Sequence, residues 1–152
     1  MADFAADLLR AGREVHGLIQ QWPAEGKHCA TLINLRDGSR RPLFQNLGSG
    51  SVSCSVDAGS LAATSGVLRH ALEAHAELAI ANRFGPLEAA GGGFAAEMLA
   101  LMAEVVPFLT IVAAEHQHLP AWRYFTGGTS VELPAERAAL DMWFAAQTKE
   151  LA

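Results

Sequence analysis

Several histidines and carboxylates stand where their spacing could support acid–base or metal chemistry. At about 100° per residue, Leu61, Leu68, Ala71, Leu72, Leu78 and Ala79 fall on one face of a helix, and His75 falls among them. There a neutral imidazole could act as a general base, or burial could lower its basicity. The competing reading is a core histidine satisfied by one or two hydrogen bonds. Further on, Glu97, Glu104 and Glu115 form a narrow stripe beside the apolar face of Phe94, Met98, Leu101, Val105, Leu109 and Val112. Lining a cavity, such carboxylates acquire raised pKa values and serve as acid or base. Facing water, they are the wet edge of a buried helix.

Glu115-His116-Gln117-His118 is the densest polar run. In an extended segment His116 and His118 would point the same way and could share a Zn²⁺ ion, with Glu115 or His70 as a further ligand. In a helix they diverge, and histidines at a helix C-terminus are favoured by its dipole alone. His70, Glu73 and Glu77 resemble half of a carboxylate–histidine site, but no helix carries the inward Glu-x-x-His pattern of a bundle metal centre. A solvated polar face explains them, and no metal is expected.

The segment Trp122-Arg123-Tyr124-Phe125 places 3 of the 11 aromatic residues within four positions. Aromatics flanking an arginine occur at interface hot spots and around small-molecule pockets, and also as lids over a core. No Gly-x-Ser-x-Gly or Cys-x-x-Cys is present. Gly48-Ser49-Gly50-Ser51 and Gly91-Gly92-Gly93 lack the Lys-Ser/Thr of a phosphate loop. No cofactor is therefore expected. Cys29 and Cys54 are too few for a disulfide framework and read as reduced, buried thiols.

The elements that must position these groups follow from periodicity. Phe4, Leu8, Ala11, Val15, Leu18, Ile19 and Trp22 recur at intervals of three and four, which predicts one helix over 3–22 closed by Pro23 and Gly26. Over 28–56 the pattern turns to strands. Asp37-Gly38 is a hairpin signal, Pro42 confines its strand to an edge, and Val52, Cys54 and Val56 alternate with serines. Helical spacing then returns over 61–84 and 94–116, with Pro107 kinking or splitting the latter. An irregular connection over 119–131 and a last helix from near Pro134 complete the reading. The expected fold is α+β and mainly helical: an N-terminal helix (1–22), a small antiparallel three-stranded meander (28–56), and three to four helices (60–152) packed as a bundle against it. Together they make one domain over 1–152.

Composition narrows the function classes. A formal charge of −5 with no basic run beyond Arg36, Arg40 and Arg41 argues against nucleic acid as a partner. The apolar stretch 94–114 is interrupted by Glu97, Glu104 and Pro107, so no membrane span is expected. Acidic residues near the start do not fit a secretory signal, which points to the cytoplasm. Three readings result. The first is a small interaction or regulatory protein acting through the aromatic loop and apolar helices, with a protein partner or a second copy of itself as a homodimer. The second is a small-molecule binder or cofactor-independent enzyme with a pocket between the meander and the helices, near His75 and Trp122, using His75 or Glu104 with Trp122 and Tyr124. The third is a His/Glu metal protein.

Overall fold

A computed structural model describes residues 1–22, 30–45, 55–56, 58–112 and 118–150. Its first helix, α1 (Ala2–Arg10), ends well short of Trp22. Ala11 caps it, Gly12 takes a φ of +76°, and the N–H groups of Gly12 and Arg13 donate to the carbonyls of Leu9 and Leu8. This paired closure needs a residue in the left-handed region just past the helix, which glycine supplies without a Cβ clash. The chain then runs straight into strand β1 (Val15–Gln21). The single helix expected over 1–22 is thus a helix and a strand.

Strands β2 (Thr31–Asn34) and β3 (Arg40–Pro42) follow as an antiparallel hairpin turning through Asp37 and Gly38, with Pro42 on the sheet edge. Strand β4 (Phe44–Gln45) pairs with β5 (Ser55–Val56) in a separate two-stranded ribbon. Helix α2 (Ala58–Glu73) then leads to β6 (Leu78–Ala81), inside the stretch 61–84 expected to be one helix. Helices α3 (Pro86–Ala89) and α4 (Ala95–Ala103) lead to β7 (Phe108–Leu109). Helix α5 (His118–Phe125) occupies the expected irregular connection, and α6 (Arg137–Glu150) closes the described chain.

The expected meander and helical bundle give way to a five-stranded mixed sheet in the order β3-β2-β1-β6-β7. β1, β6 and β7 are parallel, while β2 and β3 run antiparallel on one flank. The architecture is α/β rather than mainly helical. Strands buried on both faces read as continuous apolar runs, as in Leu78-Ala79-Ile80-Ala81, and lose the alternation that marks a half-exposed strand. On one face, Leu18, Ala79 and Ala81 pack with Leu68 of α2, Met98 and Leu101 of α4 and Trp122 of α5. On the other, Val15, Leu78 and Ile80 meet Phe4 of α1 and Phe144 of α6. Among the described residues no helix is long and apolar enough to cross a membrane.

Candidate functional site

Open α/β sheets ordinarily take ligands beyond the carboxyl ends of their parallel strands. Here that region is filled with rings. Phe84 lies 5.1 Å from Trp122 and 5.2 Å from Phe125, and Phe108 lies 6.4 Å from Trp122. Trp122 is buried in the core, and Phe125 packs against it. Tyr124 is 91% exposed, and Arg123 pairs with Glu132 at 2.6 Å. From α3, the buried carboxylate of Glu88 accepts the backbone N–H of Gly85 at 3.0 Å and that of Phe94 at 3.2 Å. Those bonds satisfy donors that the turn would otherwise leave unpaired.

The other candidates from the sequence lie apart from this cluster. His75 is exposed in the turn after α2 with φ +49°, in the position that Gly12 holds after α1, and its N–H donates to the carbonyl of Leu72. It is not on a buried helical face, because α2 has ended before it. Glu104 is the exposed C-cap of α4, so the stripe that begins at Glu97 does not continue along that helix. Glu115 and His116 lie outside the described residues. His118 opens α5, but its side chain lies outside them too.

The geometry instead gathers polar groups at the opposite, amino end of the parallel strands. An open cleft of about 380 Å³ lies between α2 and the β1–β2 pair, lined by His16, Asn34, Arg36, Asp37, Gly66 and His70. His16 follows Val15 at the start of β1 and is 1% exposed. Its Nε2 lies 3.1 Å from Oε2 of Glu14, and the same oxygen accepts from Nη1 of Arg36 at 3.1 Å. Asn34 Oδ1 accepts the backbone N–H of Arg36 at 3.0 Å, which leaves its amide hydrogens as donors. The His70 ring stands 5.4 Å from that of His16, centre to centre.

Burial pushes the His16 pKa below its ordinary value, against the opposing pull of Glu14, and the nearby Arg36 and His70 lower it further. The hydrogen bond to His16 and the charge of Arg36 hold Glu14 below the usual carboxylate range. The imidazole is therefore neutral near pH 7, with its proton on Nε2 toward Glu14. Its Nδ1 is buried and has no hydrogen-bond partner, alone in this among the described side chains. Such an atom is costly to leave unpaired. Among the described residues no three His, Cys, Asp or Glu side chains are grouped to hold a metal ion.

Residues 1–143 match the family described as protein of unknown function (DUF2478). The chain belongs to that family. It is also similar to the molybdenum import ATP-binding protein ModC 2 of Bradyrhizobium diazoefficiens, with 35% identity over 147 residues. That alignment covers 95% of this chain and 16% of the relative, so the chain spans about one sixth of that protein's length. No solved structure gives a significant match. Of the cleft residues, the sequence pointed to His70 for a different chemistry, to Arg36 only as part of a short basic group and to Asp37 only as a turn residue. His16 was hidden because 3–22 read as a helix. The signal for it was Gly12 followed by the β-branched Val15 and Ile19, a helix stop and then a strand.

Proposed function

We propose that this chain is a small-molecule-binding α/β module serving molybdenum uptake in the cytoplasm, with an oxyanion held in the cleft beside His16. One observation carries the reading: a buried histidine with an unpartnered ring nitrogen lines a cleft that also presents a guanidinium and an amide. Its volume falls in the range of about 300–1,000 Å³ typical of ligand sites. Arg36 and the Asn34 amide supply the donors that an oxyanion's oxygens require. Molybdenum enters through the printed name of the relative, and molybdate is the tetrahedral oxyanion of that metal in neutral water. ATP does not come with it, because the glycine runs of this chain lack a Lys-Ser/Thr pair.

The test is equilibrium dialysis of the purified chain against sodium molybdate, compared with Arg36→Ala. The expected result is saturable binding by the wild type that the variant weakens by roughly tenfold or more, the scale of a lost charge-assisted hydrogen bond. Equal binding by both proteins would remove the cleft from consideration. A second reading, an interaction module working on a protein partner or a second copy, is supported by the chain's matching only a 16% segment of a longer protein. Light scattering that shows a monomer, with no complex on mixing with the rest of such an import protein, would end it.

A further inference from the structure

We propose that the cleft takes up its oxyanion together with one proton, shared between a ligand oxygen and Nδ1 of His16. The inference rests on the ligand-binding reading above and specifies the form in which the ligand is held. A neutral imidazole has one N–H, and the Glu14 carboxylate, which only accepts, claims it at Nε2. Nδ1 then presents a bare lone pair, buried and without a partner. A fully deprotonated oxyanion also presents only lone pairs. Placed against the buried Nδ1, it would leave both groups unsatisfied where they meet.

The surrounding charges act in the same direction. The charged and titratable groups around His16 and its cleft are Glu14 just before β1, Arg36 and Asp37 from the turn after β2, and His70 from α2. One guanidinium stands against two carboxylates, so a dianion entering alone would deepen a local excess of negative charge. One added proton relieves both problems. Either the ligand brings it, as the O–H of monohydrogen phosphate donating to Nδ1, or solvent supplies it to Nδ1, which then donates to molybdate. No other bond is made or broken.

The experiment is titration calorimetry of the full chain with sodium molybdate near pH 7.5, in two buffers of different ionisation enthalpy. The expected result is uptake of about one proton per bound molybdate, with affinity falling about tenfold per pH unit between about pH 7 and 9. Monohydrogen phosphate carries its own proton and binds without that uptake. The variant His16→Gln, which offers an amide N–H of its own, binds molybdate with no linked proton and a flat pH profile. Wild-type binding of molybdate with no proton uptake would overturn this inference while leaving the cleft as the site. Absence of heat with either anion at millimolar concentration would overturn the ligand-binding reading itself.

Discussion

A Cβ placed on Gly17 would lie 1.9 Å from the carbonyl oxygen of Ile80, the residue it faces across the parallel β1–β6 ladder. No side-chain motion relieves such a contact, because the atom it meets is backbone. Gly17 also holds a φ of +134°, where L-residues with a Cβ are strained. Ile80 is fully buried in β6, an interior strand of the sheet. The variant Gly17→Ala is therefore expected to lose more than about 3 kcal/mol, through forced separation of the two strands. Urea unfolding followed by circular dichroism measures the loss. A midpoint within error of the wild type would show that the strands are not packed this closely.

Helix α4 ends with Val105 at φ +56°, and the N–H groups of Val105 and Val106 close the helix onto the carbonyls of Met102 and Leu101. A β-branched residue in the left-handed region costs about 1–2 kcal/mol. The Val105 side chain is 74% exposed, so it regains little of that by burial. Replacing it with glycine removes the clash and adds some freedom to the unfolded chain, which offsets part of the gain. Val105→Gly is expected to stabilise the protein by about 0.5–1 kcal/mol, read as a rise in thermal midpoint. A fall in that midpoint would contradict the strain argument.

The aromatic segment separates into two roles that alanine substitution distinguishes. Trp122 packs against Phe84, Phe108 and Phe125, and its truncation is expected to cost about 3–5 kcal/mol through the cavity left behind. Tyr124, two residues on, is almost fully exposed, and Tyr124→Ala is expected to change stability by less than about 0.5 kcal/mol. Parallel urea titrations decide the matter. If Tyr124→Ala proved as costly as Trp122→Ala, the two side chains would share a buried environment that the fold does not give them.

These elements show where the sequence was legible. Asp37-Gly38 announced its hairpin and Pro42 its edge strand, because turn chemistry is local and uses few residue types. The amphipathic starts of α1 and α2 were equally readable. Their ends were not. α2 closes through His75 and α4 through Val105, residues that give no sign of a helix stop, while Gly12 at the end of α1 did give one. The strands β6 and β7 are short and apolar, β6 buried on both faces, so each continues the hydrophobic pattern of the helix before it. His75 and the acidic stripe were placed on helical wheels that do not extend that far. The aromatic cluster was visible in composition, and only its packing against Phe84 assigns Trp122 to the core.

Proton linkage gives a last expectation, separate from any ligand. In the folded chain the pKa of His16 lies below its ordinary 6.5 because burial disfavours the imidazolium. The unfolded chain therefore binds a proton near pH 6.5 that the folded one refuses. Stability from this group is complete above that pH and declines as pH falls toward the folded value. Glu14 acts at lower pH with the same sign: held below its ordinary 4.5 by His16 and Arg36, it contributes above that pH and is lost beneath it. Asp7, held down chiefly by its hydrogen bond to Arg137 of α6, adds to the acid-side loss. The urea midpoint should thus fall continuously from about pH 7 to pH 4, beginning with the histidine step. In His16→Gln the upper part of that decline, from about pH 7 to 5, should flatten while the carboxylate part remains. A variant whose profile still fell through that upper range would place the titrating group elsewhere and leave the neutral, buried His16 without support.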